Sequence, residues 1–360
     1  MRYILSGGGT GGHIYPALAI CDELKRKDKE AEILYVGKKD SLEEELVTKK
    51  GYEFKPIHIS GLPRKKINKE IIITMVNLMR GLNESNKIID EFKPDIVIGT
   101  GGYVCCPIVL KAQQKGIMTI IQEQNAYPGK TNRFLSKKAD LIFLNFKEAK
   151  KYFKNPNIIF TGNPIRNDFL HIDRNKARNE LKLDNNEKFV FSFGGSGGQE
   201  STNEAIKEIL QKNFKIDFKL VHVTGREHYE DFIKNVDIPE NVKILDYSFE
   251  VPKYLMAADL VIASSSAMTL AEISAVGLAS ILIPKAYTAG NHQVFNANSY
   301  KDKNASIVIT EDKLTGKLLF DTIEEIINND SYRKMMAENS KKIGNPKAVE
   351  EIVNEIIKLI

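Results

Sequence analysis

"RYILSGGGTGGHIYPALAICDELKRK", Arg2–Lys27, opens with a short apolar run, crosses a turn holding five glycines and runs into a helical pattern. Glycine in that number lowers stability unless backbone must bend sharply or approach something closely. The turn, Ser6–His13, also ends on an ionisable ring, His13. A strand, a glycine turn and a helix in that order form the start of a βα unit whose turn presents N–H groups to an anion or a packed neighbour.

The alternation continues. After a helix over about Tyr15–Lys27 come "EILYVG", a helix near Leu42–Lys50, "FKPIHI" and a long amphipathic stretch to about Phe92. "DIVIG", a helix after Cys106, "MTIIQ", a helix near Thr131–Lys137 and "LIFLN" follow. Strands this uniformly apolar, separated by helices, predict a parallel sheet covered on both faces. The pattern restarts at "FVFSF" with a second set of runs, "KLVHV", "VKIL", "LVIA", "SILI" and "SIVI". Polar residues with Gly162 and Pro164 over about Thr161–Asn167 read as a linker. The expectation is therefore α/β, with two Rossmann-like, doubly wound parallel-sheet domains facing a cleft: an N-terminal domain over 1–162 and a C-terminal one over 163–344. The last segment, about 345–360, is apolar on one face and suited to pack back on the first domain.

At 360 residues, with 42% hydrophobic and 28% charged residues, the chain can bury two cores. A net charge of +5 suits an anionic substrate or an acidic membrane surface, and no dense basic stripe points to nucleic acid. The three cysteines, Cys21, Cys105 and Cys106, have neither disulfide nor metal spacing and read as buried thiols in a reducing compartment. Met1 leads almost directly into a strand, so no signal peptide is expected; the most apolar run, Ile71–Met79, is about half a membrane span.

Glycine turns recur where strands end: Gly7–His13, Gly99–Tyr103 ("GTGGY") and Gly194–Gly198 ("GGSGG"). Gly7, Gly9 and Gly12 satisfy the dinucleotide spacing GxGxxG, but the second strand ends "YVGKKD", with Gly37, Lys38 and Lys39 where an acid for the ribose should stand. That disfavours a nicotinamide-dependent oxidoreductase. Three turns converging on one cleft instead suit a substrate with more than one phosphate. At the amino end of its helix His13 is held neutral and able to accept a proton; a capping or core histidine is the bland alternative. In the second half, Glu272 in "TLAEISAVG" can grip two ribose hydroxyls, and Asn291, His292 and Gln293 in "GNHQVFNANS" suit sugar hydroxyls; each alone could be an ordinary cap.

"GGGTGGHIYPALAI", "GTGGYVCCP", "QEQNAYPGKTNRFL", "TGNPIR", "GGSGG", "TLAEISAVG" and "ILIPKAYTAGNHQVFNA" stand in the order of the MurG family, which the chain resembles from Met1 to its last helix. These are the undecaprenyl-diphospho-muramoylpentapeptide β-N-acetylglucosaminyltransferases of glycosyltransferase family 28. The resemblance implies the GT-B fold and transfer of N-acetylglucosamine from UDP-GlcNAc to the C4 hydroxyl of the muramoyl sugar of lipid I, with inversion. It implies donor contacts from Thr10, Gly11, Gly12, Asn125, Arg166, Ser196, Glu272 and Gln293, and acceptor-diphosphate contacts from Gly9, Gly101 and Gly102. His13 is the expected base. No DxD-type metal motif occurs, so no obligatory cofactor is expected, and amides, Arg166 and helix dipoles would meet the leaving diphosphate. Two departures stand out: Ser264 and Ser266 where the family carries Arg and Gly, and "GGSGGQ" where it reads GGSQGA. A diacylglycerol-type lipid glycosyltransferase is the alternative within the same fold.

A lipid acceptor requires docking at the cytoplasmic face of the cell membrane. Arg64, Lys65, Lys66 and Lys69 precede Ile72, Met75, Val76 and Met79, a basic cluster beside an apolar helix face. The competing reading is a helix whose apolar side covers the sheet.

Overall fold

The apolar runs become parallel strands because their residues are buried on both faces, which only a sheet sandwiched between helices provides. The computed structural model describes the chain except residues 62–67, 166–168, 170–172, 185, 196 and 360, and the side chains of 68 and 289. Arg64, Lys65, Lys66, Arg166 and Ser196 thus lie outside the described residues. Two units are distinguished: Met1–Arg166 with Lys347–Ile360, and Asn167–Pro346.

The first unit contains β1 (Arg2–Gly7), α1 (Gly11–Lys27), β2 (Glu32–Lys38), α2 (Leu42–Lys49), β3 (Glu53–Ile57), α3 (Asn68–Phe92), β4 (Ile96–Gly101), α4 (Cys106–Gln114), β5 (Met118–Glu123), α5 (Lys130–Leu135), β6 (Leu141–Leu144) and β7 (Ile158–Phe160). Its sheet has the order β3-β2-β1-β4-β5-β6-β7. All pairs are parallel; Tyr3, for example, pairs with Ile33 on one side and Ile96 on the other. The chain winds outward from β1 to β3 and then returns to β4, so the order reverses between β1 and β4.

The second unit contains α6 (Arg174–Glu180), β8 (Phe189–Phe193), α7 (Glu200–Gln211), β9 (Lys219–Val223), α8 (Tyr229–Ile233), β10 (Val242–Leu245), α9 (Val251–Ala257), β11 (Leu260–Ala263), α10 (Ala267–Val276), β12 (Ala279–Leu282), α11 (His292–Lys301), β13 (Ser306–Val308), α12 (Gly316–Ile327) and α13 (Asp330–Ile343). The sheet order β10-β9-β8-β11-β12-β13 reverses between β8 and β11. Fully buried His222 on β9 is structural: Asn203, oriented by donating to Thr224 O, accepts from its Nε2 at 3.0 Å, and Ser192 Oγ meets its Nδ1 at 2.9 Å. Burial lowers its pKa to about 3, keeping the ring neutral.

The chain then returns to the first unit as α14 (Ala348–Ile357). Val349, Ile352, Val353 and Ile356 join Ala17, Leu18, Cys21 and Leu24 in the core. Burying each of those four aliphatic side chains is worth roughly 1.5–3 kcal/mol as an upper bound. Lys27 Nζ adds a bond to Asn354 Oδ1 and an ion pair with Glu350 at 3.9 Å. The C-terminal helix is thus a structural part of the unit built around β1.

Candidate active site

Open α/β sheets bind ligands beyond the carboxyl ends of the strands between which the order reverses. In the first unit those strands are β1 and β4, and each ends in a glycine turn. The two turns are pressed together. Gly8 N donates to Gly101 O at 3.4 Å. A Cβ on Gly102 would fall 2.2 Å from Gly8 O, and one on Gly101 would fall 2.8 Å from His13 Nδ1. Their φ angles of 77° and 110° lie in the left-handed region that side chains resist. The second turn is therefore glycine because it carries the first turn and the His13 ring at contact distance.

Behind the first turn, Tyr35 OH donates to Gly7 O at 2.6 Å, while buried Glu43 accepts from Gly9 N and Lys38 N, each at 3.3 Å. The amides of Gly8 and Gly9 are thus engaged within the protein. Those of Gly11 and Gly12 are not. Helix α1 begins at Gly11, four residues before the position its periodicity predicts, and its N-cap, Thr10, is extended with no side-chain capping bond. Gly11 N and Gly12 N donate to no described residue. With the positive end of a 17-residue helix behind them, they can receive an anion.

His13 is the third residue of α1 and half-buried. Thr100 Oγ1 donates to its carbonyl at 2.7 Å, and its Nδ1 lies 3.0 Å from Gln124 Oε1. Beside it, the carboxylate of buried Glu123 organises the segment after β5. Oε1 accepts from Asn125 N at 2.9 Å and Asn125 Nδ2 at 3.1 Å; Oε2 accepts from Gly129 N at 3.1 Å and Asn132 Nδ2 at 2.9 Å. The first unit therefore brings Thr10, Gly11, Gly12, His13, Gly101 and Gly102 together, with Asn125 one residue beyond the side chain that holds His13.

In the second unit the corresponding strands are β8 and β11. The third glycine turn follows β8 and packs on the end of β9: a Cβ on Gly198 would meet Thr224 O at 1.9 Å. Ser264, after β11, donates to Gly194 O at 3.4 Å, and Lys285 Nζ donates to Gly198 O at 2.7 Å. Burial lowers the pKa of Lys285, and Glu311 opposes that shift. Ser266 is the N-cap of α10, accepting from Thr269 N at 3.3 Å. The two serine departures thus have local work: one ties the glycine turn, the other starts the helix that carries Glu272.

Glu272 lies in the second turn of α10 and is half-buried. Gln293 is the second residue of α11 and only 6% exposed. Its Oε1 accepts from Lys285 N at 3.0 Å, which leaves the NH2 end as the donor offered outward.

On α3, Lys69 is exposed, as are Ile72 at 61%, Met75 at 63%, Val76 at 44% and Met79 at 62%. These apolar side chains do not cover the sheet; Thr74 is the buried residue among them. Among the described residues no helix is long and apolar enough to cross a membrane.

Sequence reasoning overlooked Gln122, Gln124, Thr100, Asn163 and Lys285. One signal was available: "MTIIQE" places Gln122 and Glu123 at the carboxyl end of an otherwise apolar strand, where a buried core has no use for them.

The glycosyltransferase family 28 N-terminal domain matches residues 3–144, and the family 28 C-terminal domain matches residues 189–352. Two parallel sheets, each with a glycine turn at its reversal, have the GT-B fold. The chain belongs to glycosyltransferase family 28. A protein of Finegoldia magna named UDP-N-acetylglucosamine--N-acetylmuramyl-(pentapeptide) pyrophosphoryl-undecaprenol N-acetylglucosamine transferase is 46% identical, covering 100% of this chain and 98% of its own. A protein of the same name from Alkaliphilus oremlandii is 44% identical over 100% and 99%. The crystal structure of Acinetobacter baumannii MurG shares the fold with a TM-score of 0.79, 23% identity and 99% coverage of each chain.

Gly101→Ala tests the seating of His13. Strain at φ 110° together with the contact on Nδ1 should lower folding stability by about 1–3 kcal/mol. Turnover should fall further than the loss of folded protein explains, measured by thermal unfolding beside sugar transfer. Unaltered turnover in the folded variant would contradict the assignment.

Proposed function

We propose that this enzyme transfers N-acetylglucosamine from UDP-GlcNAc to the C4 hydroxyl of the muramoyl sugar of lipid I, undecaprenyl-diphospho-MurNAc-pentapeptide, giving lipid II and UDP. The observation that carries this reading is full-length identity of 46% to a relative named for that transfer. The supporting geometry is a histidine at one sheet reversal and a glycine turn with sugar-binding side chains at the other.

In this mechanism His13 takes the proton of the acceptor hydroxyl as its oxygen attacks the anomeric carbon. The bond from that carbon to the diphosphate oxygen breaks, the electron pair leaves on UDP, and displacement from the opposite face inverts the configuration. Gln293, whose NH2 is oriented by Lys285 N, and Asn125 address the GlcNAc hydroxyls; Glu272 addresses the uridine ribose. Arg166 and Ser196, on the motif match, hold the diphosphate. The amides at the start of α1 and the positive end of α7 oppose the charge that develops there. Gly101 and Gly102 serve the acceptor side by supporting the first turn.

Replacing His13 with Ala should reduce transfer to a lipid I analogue by roughly 10²–10⁴-fold, the range for loss of a general base, while UDP-GlcNAc affinity holds within a few-fold. Transfer at the wild-type rate would remove His13 from the mechanism. A protein that released no UDP from UDP-GlcNAc with this acceptor, yet used another lipid acceptor, would redirect the reading to the diacylglycerol-type alternative.

The acceptor is a lipid, and the exposed face of α3 with its neighbouring cations supports peripheral docking on the anionic cytoplasmic face of the membrane. Changing Arg64, Lys65, Lys66 and Lys69 to Glu should abolish sedimentation with anionic vesicles and leave UDP binding intact. Undiminished sedimentation would place docking elsewhere.

A further inference from the structure

The Nδ1 atom of His13 and Oε1 of Gln124 lie 3.0 Å apart, so one of them must supply a proton. An amide oxygen has none. Whether an oxygen does face the ring is settled by the other end of the Gln124 side chain. Gln124 Nε2 donates to Thr100 O at 2.7 Å, to Gln122 O at 3.3 Å and to Gln122 Oε1. Turned over, the amide would set its oxygen against three other oxygens, lone pair on lone pair, in a buried site.

Gln122 obeys the same constraint. Its Nε2 donates to Asn163 Oδ1 at 3.0 Å, and Asn163 Nδ2 donates to the main-chain oxygen of Gln124 at 3.3 Å. The chain of carboxamides is anchored at both ends on main-chain carbonyls, which only accept. All three side chains are buried, at 0%, 1% and 2% exposure for Gln122, Gln124 and Asn163. One arrangement satisfies every member, and in it Gln124 presents oxygen to His13. The neutral imidazole therefore carries its proton on Nδ1 and its lone pair on Nε2.

We infer that Gln124 is a positioning residue: oriented by Gln122 and Asn163, it sets the His13 tautomer in which Nε2 accepts the proton of the attacking hydroxyl. This rests on the reading of His13 as the base for transfer. A carboxamide is the fitting partner. A carboxylate there would also fix the Nδ1 proton, but it would favour the imidazolium, which has no lone pair left to accept a proton. The nearby carboxylate, Glu123, is instead occupied by four donors from Asn125, Gly129 and Asn132.

The test is the 15N spectrum of the imidazole rings in the full chain, with the His13 signals assigned by their loss in His13→Ala. In the wild type at a pH where the ring is neutral, Nδ1 should show the shift of a protonated nitrogen and Nε2 that of an unprotonated one. In Gln124→Leu the ring should move toward the opposite tautomer. The kcat should fall about 10–100-fold, the usual cost of losing a group that orients a ligand or base, with KM for UDP-GlcNAc within two-fold. The wild-type spectrum decides the tautomer even where Gln124→Leu folds poorly. A neutral ring protonated on Nε2 overturns the role of Gln124, whatever His13 does in transfer. An Nδ1-protonated ring in an enzyme whose His13→Ala variant keeps the wild-type rate overturns the base, and with it the catalytic purpose given to Gln124.

Discussion

The contact on which the first unit's site depends is the approach of two main-chain turns at the reversal between β1 and β4. A methyl group on Gly102 would overlap the carbonyl of Gly8, and one on Gly101 would overlap the ring of His13. Absence of those two carbons lets the turn after β4 support the turn after β1 and places Thr100 under the His13 backbone. The start of α1, the orientation of His13 and the availability of the Gly11 and Gly12 amides all follow. Glycine here supplies conformations that other residues resist, and it supplies room; loss of either acts on the same ring.

The second unit solves a related problem with different groups. Its glycine turn is secured from three sides, by the end of β9, by Ser264 and by the ammonium of Lys285. Lys285 also lends its main-chain N–H to Gln293, so one residue links the glycine turn to a side chain suited to sugar hydroxyls. Glu311 accepts from Ser201, Gln199 and Ala286 N beside that lysine, and those bonds hold its carboxyl below the usual range. A half-buried cation and anion with these hydrogen bonds are each compensated, and the turn inherits a defined shape.

Much of this was legible in the chain. Alternating apolar runs and helices fix parallel α/β units, and glycine turns mark the strand ends at which each sheet reverses. The start of α1 lies four residues before the one the periodicity predicts because Gly11 and Gly12 read as turn; a helix can begin on glycine when its first amides are wanted for something other than capping. The carboxamide chain from Asn163 to His13 was not legible, since Gln122, Gln124, Thr100 and Asn163 are distant in sequence from His13 and only the successive sheet registers from β1 through β4, β5 and β6 to β7 unite them. The Arg-to-Ser departure at Ser264 could be seen, but not that its hydroxyl would tie the glycine turn. A serine next to a helix reads as a cap, and in this chain Ser266 takes that part.

On the reading we propose, the second unit holds the nucleotide sugar through its glycine turn, α10 and α11. Hydrogen exchange read by mass spectrometry with and without UDP-GlcNAc tests it most directly. Peptides covering Gly194–Asn203, Ser264–Glu272 and Lys285–Gln293 should exchange more slowly with the ligand bound. Protection confined to segments away from all three would contradict the account.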